Sequence, residues 1–181
     1  MLIRALASAL AIQNHPAAAV SVALDLDREG AWVTRDRALR AVRTEWTAFL
    51  DDDDAFLPHH LEVLMQAAEE TDADYVYSWY VIHDRNGTPL DFDPLGHFGK
   101  RFDPQNPTQT TITTLVRTEL AKEVGFKLPT DGDLIHGERA GEDFLFTLGC
   151  IEAGAKIHHV PQRTWIWNHH GANTSGLPDR W

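Results

Sequence analysis

An apolar segment that runs directly into four consecutive aspartates constrains this chain most. Residues 46–50 read Trp-Thr-Ala-Phe-Leu, and Asp51 to Asp54 follow without a spacer. The apolar part predicts a buried strand, and α/β sheets bind their ligands just beyond the carboxyl ends of strands. In an extended backbone Asp51 and Asp53 would point the same way. Two converging carboxylates make a hard-oxygen site suited to Mg²⁺ or Mn²⁺. The alternative is a solvated acidic loop.

Strand-like and helix-like segments alternate along the first half of the chain. Val20 to Leu26 is rich in valine and predicts a strand, Trp32 to Val42 predicts a helix, and Tyr75 to Ile82 predicts another strand. Two short strands are predicted near the end of the chain, at 157–160 and 164–167, separated by a proline. This order predicts an α/β fold whose mixed, mostly parallel sheet is flanked by helices.

Composition narrows the class of protein. A length of 181 residues fits a single domain, 1–181. The formal charge of -11 argues against nucleic-acid partners, which require a basic face. Cys150 is the only cysteine, so no internal disulfide is possible and a reducing, cytoplasmic setting is expected. No stretch is long and apolar enough for a membrane span. Residues 2–12 predict an amphipathic helix in preference to a signal peptide.

A second acidic group stands at a predicted helix start. Glu142 and Asp143 follow Gly141 and precede an apolar helical run. A carboxylate held there suits a general base, and a neighbouring Glu142 would raise the pKa of Asp143. Capping of the helix and compensation of its dipole is the alternative.

Two further features are weaker taken singly. Arg35 lies on the predicted helix Trp32 to Val42, which follows the acidic residues Asp25 and Asp27. Its guanidinium could bind a diphosphate, or Arg35 could be an ordinary surface arginine. His169 and His170 precede a Gly-punctuated polar tail and are able to contribute one metal ligand, or to form a surface pair.

Taken in order, these segments resemble family 2 glycosyltransferases. The resemblance covers nearly the whole chain. Its matching segments are Thr34-Arg35-Asp36-Arg37-Ala38-Leu39, the run Thr47 to Asp54 with Leu57-Pro58-His59-His60-Leu61, Leu115-Val116-Arg117, Glu123-Val124-Gly125-Phe126, Gly141-Glu142-Asp143, Glu152-Ala153-Gly154-Ala155 and His170 to Ser175.

The resemblance implies a GT-A fold (the nucleotide-diphospho-sugar transferase fold) and roles by position. It divides the domain into a nucleotide-sugar and metal half, 1–110, and an acceptor and base half, 111–181. The implied site residues are Asp51 and Asp53 as metal ligands with His170 nearby, Asp52 near the donor ribose or sugar, Asp25 near the nucleotide base, Arg35 near the nucleotide, and Asp143, assisted by Glu142, as the general base.

The reaction that the resemblance implies is transfer of a sugar from a nucleotide-diphosphate donor to a hydroxyl of a glycan, protein or small molecule, with inversion and with Mn²⁺ or Mg²⁺. One family segment has no counterpart: the opening strand, which helps to hold the nucleotide base. Its absence predicts an unpaired sheet edge. It also keeps open a non-catalytic nucleotide-sugar or glycan-binding remnant of the fold. A metal-dependent nucleotidyltransferase or phosphohydrolase is a further alternative. Donor, acceptor and oligomeric state are not predicted.

Overall fold

A computed structural model describes residues 1–91, 99–100, 102–105, 107, 111–135 and 138–169. The helices are α1 (Leu2–Leu10), α2 (Ala31–Ala41), α3 (His60–Thr71), α4 (Thr118–Val124) and α5 (Glu142–Glu152). The strands are β1 (Trp46–Ala48), β2 (Ala55–Phe56), β3 (Tyr75–His83), β4 (Pro89–Leu90), β5 (Thr114–Arg117), β6 (Leu134–Ile135), β7 (Glu138–Arg139) and β8 (Ile157–Asn168). No helix in these ranges is long and apolar enough to cross a bilayer.

The main sheet confirms the mixed α/β class and corrects its strand directions. Its order is β1-β5-β3-β8-β2, with β4 paired to β3, and β6 and β7 form a separate hairpin. Within the described ranges only β3 and β8 run parallel, and every other recorded pair is antiparallel. The prediction of a mostly parallel sheet was therefore wrong. The alternation of strands and helices in the first half does not continue through β5 and β2, which run against their neighbours.

The predicted strand from Val20 to Leu26 does not form. Residues 18–25 have no regular secondary structure, and Val20, Val22, Leu24 and Leu26 are exposed. A strand needs a neighbour that satisfies its backbone groups, and no described residue pairs with this segment. Likewise, no described strand pairs with the edge of β1 that faces away from β5.

The two strands predicted around Pro161 are one strand, β8. Its register with β3 slips twice, so that Ser78 pairs with Val160, Trp79 with Arg163 and Tyr80 with Trp165. A bulge of this kind tolerates proline because the residues that it leaves unpaired need no ladder hydrogen bond. The sequence pattern correctly placed the break in pairing but not the continuity of the strand.

Three phenylalanines join the end of β1 to α5. Phe49 packs edge-on against Phe126 and Phe146, with ring centroids 5.3 and 5.6 Å away, and Phe126 stacks on Phe146 at 4.5 Å. All three are buried. Phe49 lies two residues before Asp51, and Phe146 lies three residues after Asp143. This contact therefore fixes the two acidic motifs relative to each other.

Candidate functional site

The four aspartates after β1 form a turn, not a continued strand. Phe49 N–H still donates to the Thr114 carbonyl of β5, but Asp54 N–H donates back to the Asp51 carbonyl at 3.2 Å. Because the backbone turns, the alternation expected for an extended chain does not hold. Asp51, Asp53 and Asp54 each place one carboxylate oxygen within 4.8 Å of the others, while Asp52 is exposed. The predicted pair Asp51 and Asp53 is brought together, and Asp54 is a third member that sequence reasoning left out.

Asn168, at the end of β8, holds this turn from the opposite side. Its N–H donates to Asp54 Oδ1 at 3.0 Å, and its side-chain Nδ2 donates to the Asp53 carbonyl at 2.6 Å. Burial raises the pKa of Asp54 to about 8, against a smaller lowering by the Asn168 N–H. Asp53 and Asp51 add to the rise. Near neutral pH the Asp54 carboxyl therefore tends to keep its proton.

The donor atoms of this cluster fit a divalent cation. They are all carboxylate oxygens, which Mg²⁺ and Mn²⁺ prefer, and one of the three residues is almost fully buried, with 6% of Asp54 exposed. Burial is the main cause of the raised pKa of Asp54, and the crowded negative charge of Asp53 and Asp51 adds to it. A bound cation would relieve that crowding and favour the ionised carboxyl.

Arg35, on α2, links the acidic turn to the start of α5. Its Nε and Nη2 donate to the two oxygens of Asp51 at 3.1 and 2.6 Å, and its Nη1 donates to Glu142 Oε1 at 2.5 Å. Burial disfavours the charged guanidinium, but Asp51 and then Glu142 outweigh it, so the pKa of Arg35 is raised. Arg35 is therefore a buried, permanently charged bridge between the two acidic motifs.

Asp143 sits over the first turn of α5. Its Oδ1 accepts the Phe144 N–H at 2.7 Å. Helix α5 has no side-chain cap hydrogen bond, and Glu142 and Asp143 lie in its first turn, where their charge compensates the helix dipole. Burial is the main cause that raises the pKa of Asp143, and the charge of Glu142 adds to it, while Arg35 opposes it. Gly141 makes the position possible, because a Cβ there would lie 2.6 Å from Asp143 Oδ1. Asp143 thus has the environment of a base that titrates above the usual carboxylate range.

A cavity of about 820 Å³ opens beside β1 and reaches the acidic turn. This volume is in the range of small-molecule sites. Much of its wall is apolar, from α1, α2 and β1, and its charged residues include Asp25, Arg35, Asp51, Asp52 and Asp53. Asp25 accepts the N–H groups of Glu29 and Gly30 at 2.8 and 2.9 Å. All the predicted nucleotide-binding residues therefore line one cavity.

One predicted site residue is not described by the structure, and two residues of the site have roles that the sequence did not predict. His170 lies outside the described residues, and so does the whole polar tail that follows it. Asn168 was not singled out by the sequence, and Gly141 was named only as the residue before the acidic pair. Asn168 is 114 residues from Asp54, so no local spacing signals their contact. A glycine directly before an acidic pair was a usable signal for Gly141, but its meaning depends on the side-chain position of Asp143.

Comparisons with known proteins show the family and the fold of this chain. Residues 24–121 match the family described as glycosyl transferase family 2. An uncharacterised glycosyltransferase of Methanocaldococcus jannaschii is 28% identical over 139 residues, which are 74% of this chain and 45% of that protein. The chain thus spans less than half of that relative.

Solved structures give the same fold. A crystal structure of Staphylococcus aureus TarS, residues 1–349, aligns with a TM-score of 0.58 at 20% identity, over 80% of this chain and 42% of that one. A complex of the same TarS fragment with UDP-GlcNAc aligns with a TM-score of 0.57 at 20% identity, over 77% of this chain and 39% of that one. At this level of identity the likeness shows the fold alone.

The family match covers more than half of the chain and includes α2, the acidic turn and the strands that carry it. The chain therefore belongs to glycosyltransferase family 2.

Proposed function

We propose that this domain transfers a sugar from a nucleotide-diphosphate donor to an acceptor hydroxyl, with inversion at the anomeric carbon and with Mn²⁺ or Mg²⁺. One observation carries the proposal: the Arg35 bridge joins a carboxylate cluster suited to a cation with the helix start that holds Asp143. In a site of this kind, the cation-binding residues that would stabilise the leaving group lie next to the residue that would accept the proton.

Asp143 is the proposed general base. Its role is to take the proton from the acceptor hydroxyl as the hydroxyl oxygen attacks the anomeric carbon. The raised pKa of Asp143, from burial and then from the charge of Glu142, makes it a better proton acceptor than an exposed carboxylate. Arg35 holds the side chain of Glu142 next to Asp143.

Asp51, Asp53 and Asp54 are the proposed cation-binding residues. When bound, a divalent cation supplies positive charge that stabilises the departing diphosphate. The exposed carboxylate of Asp52 lines the same cavity and is placed to accept hydroxyl groups of the donor. Asp25 is proposed to face the nucleotide base and Arg35 to lie near the nucleotide.

The comparisons support a uridine donor as the first choice. TarS, whose fold this chain shares, has been solved with UDP-GlcNAc and with UDP. The shared fold does not select the sugar or the acceptor, so the first experiment uses a panel of nucleotide sugars that starts with UDP-GlcNAc.

The test measures release of nucleoside diphosphate in the presence of Mn²⁺, Mg²⁺ or EDTA. We expect release with a divalent cation, its loss in EDTA, its loss in Asp53→Ala, and a fall of about 10²–10⁴-fold in Asp143→Asn. Asp131→Asn is the matched control, because Asp131 is an exposed aspartate on a turn.

Other products or their absence decide between the alternatives. Release of pyrophosphate or inorganic phosphate in place of nucleoside diphosphate would identify a nucleotidyltransferase or a phosphohydrolase. Donor binding by calorimetry without turnover, and without any effect of Asp143→Asn, would identify a non-catalytic binding domain. Absence of both binding and turnover for every donor and metal would refute the transferase proposal for this chain.

A further inference from the structure

Arg35 forms hydrogen bonds to two motifs that are far apart in the sequence. Its three nitrogens reach Asp51, which is 16 residues away, and Glu142, which is 107 residues away. The side chain of Arg35 is only 15% exposed, whereas those of Asp51 and Glu142 are 34% and 27% exposed. The guanidinium is thus the buried member of the set, and the two carboxylates surround it from different elements.

Asp51 is fully engaged by this contact. Arg35 Nε donates to Asp51 Oδ1, and Arg35 Nη2 donates to Asp51 Oδ2. Both carboxylate oxygens of Asp51 therefore already accept a hydrogen bond from the charged guanidinium. Paired contacts of this type combine charge with a planar fork geometry and are among the stronger hydrogen bonds in proteins. A divalent cation that uses Asp51 must therefore compete with Arg35 for the same oxygens.

Glu142 lies on the other side of the same guanidinium. Arg35 Nη1 donates to Glu142 Oε1, and Glu142 precedes Asp143 at the start of α5. The Arg35 charge also acts on Asp143, in opposition to burial and to Glu142. A change in the hydrogen bonds of Arg35 to Asp51 or Glu142 therefore changes the electrostatic environment of Asp143, the proposed base.

We propose that Arg35 is a positioning residue that acts as the internal counter-ion of the site. It balances Asp51 until a divalent cation binds, it lowers the affinity for that cation by competing with it, and it holds Glu142 so that Asp143 stays in place. This inference rests on the proposed function for its catalytic part, but its effect on cation binding is measurable without any turnover.

The test combines Mn²⁺ binding with turnover in Arg35→Gln and Arg35→Lys. Without Arg35 the cation no longer competes with a fixed charge, so we expect Arg35→Gln to bind Mn²⁺ about tenfold more tightly. That is the order of magnitude for removing a unit charge about 6 Å from a divalent cation at a water-like dielectric. We also expect kcat for nucleoside diphosphate release to fall at least about tenfold, with a smaller change in donor KM.

Arg35→Lys separates charge from geometry. Lysine keeps the positive charge but lacks the fork that reaches Asp51 and Glu142 together. We expect its Mn²⁺ affinity to stay within about threefold of the native value while kcat falls as in Arg35→Gln. The matched control is Arg40→Gln, on the same helix, because Arg40 pairs with Asp36 and is 54% exposed. It should change neither quantity.

Calorimetry with Mn²⁺ alone is the deciding measurement, with thermal unfolding in EDTA as the check that each variant is folded. Weaker or unchanged Mn²⁺ binding in a folded Arg35→Gln variant, or no binding by either protein, overturns the proposal. If Arg35→Gln tightens Mn²⁺ binding but no donor is turned over by the native chain, the counter-ion role stands and the proposed transferase function fails. If Arg35→Gln tightens binding without lowering kcat, the link to Asp143 is wrong.

Discussion

Gly141 gives the sharpest test of the position of the proposed base. It precedes α5 with φ -78° and ψ 161°, a conformation that alanine adopts without strain. A Cβ at this position would lie 2.6 Å from Asp143 Oδ1, whereas ordinary contact begins at 3.4 Å. In Gly141→Ala the carboxylate must therefore shift by about 0.8 Å, and displacements near 1 Å cost up to about 100-fold in rate.

The stability of Gly141→Ala should change little. Alanine loses a small part of the N-cap preference that glycine has, and it also lowers the entropy of the unfolded chain. These effects oppose each other and each is at most about 1 kcal/mol. We therefore expect kcat for nucleoside diphosphate release to fall about 10–100-fold, with donor KM within about threefold and the melting temperature within about 3 °C.

Two other glycines supply matched controls for the same substitution. A Cβ at Gly149, also on α5, would lie 2.4 Å from Val124 Cγ1, so Gly149→Ala should overpack the core and lower the melting temperature by about 2–10 °C. Among the described residues, a Cβ at Gly132 would meet only Thr130 Oγ1, at 3.7 Å, so Gly132→Ala should be neutral. Gly141→Ala with native kcat, or with the stability loss of Gly149→Ala, would refute the reasoning about Asp143.

Three further predictions concern stability. The pKa of Asp54 is raised from 3.8 to about 8 in the native state. Between these two values the native Asp54 carboxyl keeps a proton that the unfolded chain has released. The contribution of Asp54 to the free energy of unfolding therefore falls as pH rises from about 4 to 8. Asp54→Asn should remove that decline, which is at most about 4 kcal/mol between pH 5 and pH 8.5 in urea unfolding with EDTA. An equal decline in both proteins would contradict it. Thr164→Val removes the hydroxyl that pairs with both His60 Nδ1 (2.7 Å) and Ser78 Oγ (2.6 Å), so it should cost about 1–3 kcal/mol, read as a lower melting temperature. An unchanged melting temperature would show that these two contacts contribute nothing. Gly125 has φ 61° and ψ 169°, so Gly125→Ala should cost about 1–3 kcal/mol of unfolding free energy, and a loss below about 0.5 kcal/mol would contradict the strain argument.

Local pattern predicted several elements of the fold because their signals are local. The spacing of Leu61, Leu64, Met65 and Ala68 predicts a helix with a buried stripe; in α3 all of them are buried except Met65, which is half-buried, and β3 covers the predicted strand from Tyr75. A glycine at 154, after an apolar helical run, predicts a helix end, and Gly154 has a positive φ just after α5. These predictions required only periodicity and the conformational freedom of glycine.

The errors share one physical cause, which is that pairing between strands is not local. The segment from Val20 to Leu26 has the composition of a strand, but a strand forms only where another backbone completes its hydrogen bonds. The direction of β5 depends on how the chain returns after β3, and the sequence between them carries no periodic signal of that path.

The acidic run shows how the structure assigns different states to identical residues. Asp51 is neutralised by a guanidinium from α2, Asp54 is buried against Asn168 and tends to be protonated near neutral pH, and Asp52 faces the cavity. None of these differences is present in four consecutive aspartates, because each depends on a residue that the fold brings from elsewhere. The sequence therefore predicted an acidic site without separating its members, whereas the Arg35 pair at Asp51 and the burial of Asp54 make the four carboxylates different.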